Sequence, residues 1–79
     1  MTLRIISPSG IHFEGTTTSL NAKTKSGEVT ILDHHRPIIS VLTSGTLVYI
    51  LENGKTQTLS VTSGLLEMND KNELSVLID

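Results

Sequence analysis

"TLVYILENGKTQTLSV", Thr46 to Val61, carries two short apolar alternations on either side of Asn53-Gly54. Leu47, Tyr49 and Leu51 recur with period two, as do Leu59 and Val61, and that period lays side chains on one face of a strand. Asn-Gly tolerates the positive φ that a type I′ turn needs at both central residues, so residues 46–52 are expected to pair with 55–61 as a hairpin.

The same alternation recurs outward from the hairpin, in Leu3 and Ile5, Ile11 and Phe13, Leu20 and Ala22, Val29 and Ile31, and Leu74 and Val76. Threonine, valine and isoleucine make up 24 of the 79 residues, and alanine occurs once. Branching at Cβ restricts χ1 in a helix and suits a pleated sheet. No window offers helical spacing over three turns. Turn signals at Ser7-Pro8-Ser9-Gly10, Gly15, Ser26-Gly27, Asp33-His34, Thr43-Ser44-Gly45, Asn53-Gly54, Ser63-Gly64 and Asn69-Asp70-Lys71-Asn72 cut the chain every 8 to 12 residues or so, the rhythm of a sandwich or barrel. The reading is all-β, one compact domain over 1–79, with no repeat or linker.

Composition narrows the function. Six basic residues (Arg4, Lys23, Lys25, Arg36, Lys55, Lys71) stand against eight acidic ones, for a net charge of −2, and none of the cations cluster. Nucleic-acid binding needs clustered cations and usually stacking aromatics, and the chain has one Phe and one Tyr. Its apolar runs fall far short of the roughly 20 residues that span a bilayer, so no direct membrane insertion is expected. No cysteine is present to staple the fold or act as a nucleophile, and no "GxSxG", "GxxxxGK[ST]" or "GxGxxG" occurs. Catalysis, cofactor binding and a small-molecule substrate are therefore not expected.

The polar residues crowd in "SGEVTILDHHRPIISVLTSG", Ser26 to Gly45. His34 and His35 could ligate zinc or copper with Asp33 or Glu28, and His12 offers a third imidazole beside Glu14. Adjacent side chains on an extended backbone point apart, however, and the spacing fits no common ligand set. Pro37 holds Arg36 extended, so Asp33 to Arg36 should project from the end of the sheet as a docking loop.

With Ser7-Pro8, Phe13 and Gly15, then Gly27-Glu28, His35, Pro37 and Gly45, then Ser63-Gly64 through Glu67, in that order and spacing, the chain resembles along nearly its whole length the epsilon subunit of the F-type ATP synthase. Ser7, Pro8, Phe13 and Gly15 match the family's opening pattern. Gly27, Glu28, His35, Pro37 and Gly45 match its middle signature, and Ser63, Gly64, Leu65, Leu66 and Glu67 match its late one. Asp33-His34 stands where the family has Pro-Gly, Arg36 replaces Ala, and Ser63 replaces a usual Gly.

The resemblance implies a flattened β-sandwich of about ten short, mostly antiparallel strands. It also implies a non-catalytic rotor subunit of the central stalk, coupling proton or sodium flow through the membrane c-ring to the gamma subunit and ATP synthesis, peripheral on the cytoplasmic face of a bacterial inner membrane. Carried over residue by residue, Glu28 and His35, with their neighbours Asp33, His34 and Arg36, belong to the ring-facing interface, and Ser7, Ser40, Thr62 and Glu67 to the gamma-facing one. Most members continue into a C-terminal helical hairpin that restrains ATP hydrolysis. This sequence stops at Asp79, so that regulatory arm is expected to be absent. The residues alone leave open a small metal-binding β-barrel using His12, His34 and His35, or a sandwich adaptor of another complex.

Overall fold

The computed structural model describes residues 1–79 as eight β-strands and no helix. They are β1 (Thr2–Ser7), β2 (Gly10–Thr24), β3 (Gly27–Leu32), β4 (Ile38–Leu42), β5 (Gly45–Leu51), β6 (Thr56–Val61), β7 (Gly64–Met68) and β8 (Glu73–Ile78). The hydrogen-bonded order is β1-β8-β7-β4-β2-β5-β6, with β3 on β2 and a further pairing of β1 with β2. All pairings are antiparallel except β1 with β8.

The 15-residue β2 makes this order a sandwich. Its first half, Gly10 to Thr16, pairs with β1 and so joins the layer β1-β8-β7-β4. Its second half pairs with β3 and β5 and completes the layer β3-β2-β5-β6. A register shift between Thr17 and Ser19 marks the passage, as expected where a bulge bends a strand from one layer to the other. The bridge Thr24↔Leu42 joins the layers again at the far end of β2.

Alternation fills the space between. Leu3, Ile5, Leu42, Leu66, Met68, Leu74 and Val76 of the first layer share one buried cluster with Leu20, Ala22, Ile31, Leu47, Tyr49 and Val61 of the second. Phe13 meets Tyr49 across the core, ring centroids 5.0 Å apart and tilted 51°. Burial raises the Tyr49 phenol above its ordinary pKa. Thr17, at the bend, is buried with its hydroxyl unpartnered.

Two local expectations are revised. Strands number eight rather than about ten, partly because Gly15 does not break β2. It pairs with Leu3 inside the ladder, and a Cβ there would press on the Phe13 ring at 3.0 Å, so its smallness serves packing. The 46–61 hairpin forms, from Gly45↔Val61 to Ile50↔Thr56, but its turn is not type I′. Only Gly54 has positive φ (87°), and Gly54 N–H donates to Leu51 C=O while Leu51 N–H donates to Lys55 C=O, both at 2.8 Å. That is a three-residue loop, Glu52-Asn53-Gly54, closed by a bulge at its glycine. Asn53 contributes its side chain instead, accepting the Lys55 N–H at 2.9 Å.

Candidate functional site

Glu28 and Asp33 sit at opposite ends of β3, five residues apart, or about 16 Å along a strand. The five residues expected at one docking end therefore divide into two groups.

Glu28 lies beside the turn at Lys25-Ser26, paired across strands with Lys23, whose Nζ stands 3.4 Å from its carboxylate. Hydrogen bonds from the Asn21 and Lys23 side chains, and then the Lys23 charge, hold the Glu28 carboxyl below its ordinary pKa. The β4–β5 turn adjoins: Thr43 N–H donates to Lys23 C=O and Lys25 N–H to Val41 C=O, each at 3.0 Å. Lys25 is exposed and forms no ion pair, so this end offers one free cation beside a neutralised pair.

At the other end, the Asp33-His34 stretch is engaged in the fold. The Met1 ammonium donates to the Asp33 carboxylate and, at 3.0 Å, to Thr17 C=O. Asn72, from the β7–β8 turn, donates through Nδ2 to Asp33 at 2.8 Å and accepts the His34 N–H at 2.7 Å through Oδ1. The ammonium and Asn72 together lower the Asp33 pKa. His34 and Asn72 both hold φ of 61°, the left-handed region. That conformation accounts for a glycine at the His34 position in the family pattern, since glycine adopts it without a Cβ penalty. The His34 ring is exposed, His35 Nδ1 lies 2.7 Å from Arg36 C=O, and Arg36 is exposed without an ion partner.

The histidines do not converge. His12 is five residues along β2 from Thr17, the residue bonded to Met1, which is about 16 Å of strand. No cluster of three or more His, Cys, Asp or Glu side chains capable of holding a metal forms anywhere in the molecule.

The four residues expected to face gamma are also dispersed. Ser7 closes the β1–β2 turn, its Oγ accepting the Ser9 N–H at 3.2 Å. Thr62 lies in the β6–β7 turn and donates to the Asp79 carboxylate at 3.0 Å. Ser40 pairs with the buried Leu66 and is half-buried on the inner register of β4. Glu67 is exposed opposite Ile39 on the outer face of the first layer.

That outer face holds the feature the alternation missed. Val41↔Leu65, Leu65↔Leu77, Leu77↔Ile6 and Ile6↔Ile11 are successive cross-strand partners, so one apolar row crosses β4, β7, β8, β1 and β2. Four strand spacings make it about 19 Å long. Val41 is 45% exposed, Leu65 39%, Leu77 48% and Ile11 55%, and Ile39, beside the row, is 67% exposed. Contiguous apolar surface of this kind marks a site of association. Its trace in the sequence is a set of doublets: Ile5-Ile6, Ile38-Ile39, Leu65-Leu66 and Val76-Leu77. On a strand, adjacent residues face opposite ways, so a doublet makes both faces apolar.

Known proteins bear on this geometry. The chain matches the family described as ATP synthase, Delta/Epsilon chain, beta-sandwich domain, over residues 1–79. It is 31% identical over 77 residues to the ATP synthase epsilon chain of Clostridium novyi, covering 98% of this chain and 58% of that one. To the epsilon chain of Desulfitobacterium hafniense it is 32% identical over 78 residues, covering 99% and 58%. The chain thus spans a little over half the length of these relatives.

The fold is shared with a chain of the Euglena gracilis mitochondrial ATP synthase OSCP/F1/c-ring structure, with a TM-score of 0.90, 19% identity, and coverage of 96% of this chain and 48% of that one. A chain of the Tetrahymena thermophila mitochondrial ATP synthase central stalk/c-ring structure gives a TM-score of 0.81 at 19% identity, covering 99% and 62%. The chain belongs to the ATP synthase delta/epsilon β-sandwich family.

Proposed function

We propose that this family member is a non-catalytic spacer of the central stalk, joining the gamma subunit to the membrane c-ring so that rotation of the ring reaches the catalytic head. The observation that carries the reading is the apolar row Val41, Leu65, Leu77, Ile6 and Ile11, exposed at every position but the half-buried Ile6, on a sheet whose opposite face is the core. Gamma docks on this face, with Glu67 and Ile39 at its margin. A packed sandwich suits the role because close-packed interiors deform little and so transmit force.

Ring contact falls to the end carrying Glu28 and Lys25. There Lys25 is free and the Lys23–Glu28 pair is exposed on the surface, whereas Asp33 and the His34 backbone are bonded to Met1 and Asn72 from distant parts of the chain. His35 and Arg36 then border the opposite end and touch the ring little. The complex lies on the cytoplasmic face of a bacterial inner membrane.

Titration of the chain against purified gamma subunit tests the reading. The double variant Val41→Gln/Leu77→Gln replaces exposed side chains and leaves the core intact. It should melt as the parent does yet bind gamma at least about tenfold more weakly, since central apolar contacts of an interface contribute more than about 1 kcal/mol each. Unchanged affinity would refute the assignment of this face.

A further inference from the structure

β6 ends the hydrogen-bonded order of the sheet and pairs with β5 alone. The Leu51 N–H bond to Lys55 C=O fixes the phase of that ladder. Alternate residues of an antiparallel pair exchange bonds, so the backbones of Gln57, Leu59 and Val61 turn toward β5, and those of Thr56, Thr58 and Ser60 turn outward. Three N–H and three C=O groups line a free edge. Proteins guard such edges with lysine, proline, a bulge or charge. "TQTLSV" has no charged residue and no proline, and its register with β5 runs without a shift. The other single-partner strand, β3, carries Glu28 and is flanked by Lys25 and Asp33.

We propose that a second copy of this chain pairs along this edge, β6 against β6, antiparallel about Thr58. The edge is complementary to itself. With Thr58 opposite Thr58, each Thr56 meets the other copy's Ser60, and all outward N–H and C=O groups of the three residues find partners. Gln57 falls opposite Leu59 and Lys55 opposite Val61, so no like charges meet. A two-fold pairing uses the same patch on both copies and closes at the dimer. Six residues of strand bury far less than the roughly 1,200 Å² of a standard interface, so the dimer is weak and populated only at high concentration. The edge belongs to the second layer, so pairing leaves the apolar row of the first layer free, and the two surfaces can be tested apart.

Sedimentation equilibrium from about 20 μM to about 1 mM, a range suited to a small interface, should show the weight-average mass rising from monomer toward dimer. Over the same range, amide shifts should move at Thr56, Thr58 and Ser60 and stay fixed at Val41, Leu65 and Leu77. Thr58→Lys sets like charges across the axis, and Thr58→Pro removes an N–H that bonds nothing within the chain. Both should remain monomeric, while Val41→Gln/Leu77→Gln should dimerise like the parent. A parent that stays monomeric at 1 mM would overturn the proposal. So would a folded Thr58→Lys that dimerises as the parent does, and this variant decides if the proline variant fails to fold.

Discussion

Gly64 begins β7, between Leu42 of β4 and Ile78 of β8, and a Cβ there would stand against the Leu77 carbonyl oxygen far inside van der Waals contact, and 3.3 Å from Leu42 Cδ1. The obstacle is backbone, so Gly64→Ala can be accommodated only by parting β7 from β8. Overpacking of this kind costs about 1–3 kcal/mol. Loosening the end of the ladder forfeits one or two hydrogen bonds at about 1 kcal/mol each. The expected loss is about 3 kcal/mol, which in a domain of this size lowers Tm by about 12 to 24 °C. Gly45→Ala is the matched control. Its Cβ would meet Lys23 Cγ at 2.7 Å and Lys23 Cβ at 3.2 Å; a χ1 turn carries Cγ aside and Cβ has to yield only slightly, with no backbone oxygen in the way, so the change should cost about 1 kcal/mol. Urea unfolding of the two variants with the parent reads the difference directly. If Gly64→Ala unfolds within about 1 kcal/mol of Gly45→Ala, the β7–β8 approach is not as tight as the structure has it.

Other perturbations separate the parts of the account. Thr17→Val keeps the shape of a buried side chain and removes an unpartnered hydroxyl, so calorimetry should find it more stable by about 1 kcal/mol, and a loss would mean that the hydroxyl has a partner. Asp33 has its pKa lowered from 3.8 by the Met1 ammonium and Asn72, so its stabilisation is complete above that value and lost as pH falls through the lower folded one. Asp33→Asn should thus be less stable than the parent at pH 6, the gap in urea midpoint closing below about pH 4, and a constant gap would contradict the bonding of Asp33. Glu28→Lys should weaken association with the c-ring more at low salt than at high, because exposed charges are screened over about 8 to 10 Å at physiological ionic strength. Equal affinity at all salt concentrations would remove Glu28 from the ring contact.

What the sequence disclosed was local, and what it hid was the pairing of distant segments. Alternation placed Leu3, Ile5, Leu20, Ala22, Ile31, Leu47, Tyr49, Val61, Leu74 and Val76 in the core, because inward register along a strand is a property of its own residues. Ile11, read the same way, lies on the outside, beyond a register shift between Ile5 and Ile6 that no neighbouring residue announces. Asn53-Gly54 located the hairpin but not its turn, since φ depends on how the flanking strands close. The Asp33-His34 loop looked free because its partner, Asn72, is 38 residues beyond His34. The apolar face was written in the doublets, yet a search for one buried face per strand passes over residues that make both faces apolar.

Docking on gamma through the outer face of the first layer, as proposed, would bury Val41 and Leu77. Calorimetric titration of gamma with the parent chain and with Val41→Gln/Leu77→Gln tests it most directly. The parent should bind saturably with a negative heat-capacity change, the mark of apolar burial, and the variant at least about tenfold more weakly. Equal affinities, or parent binding without that heat-capacity change, would contradict it.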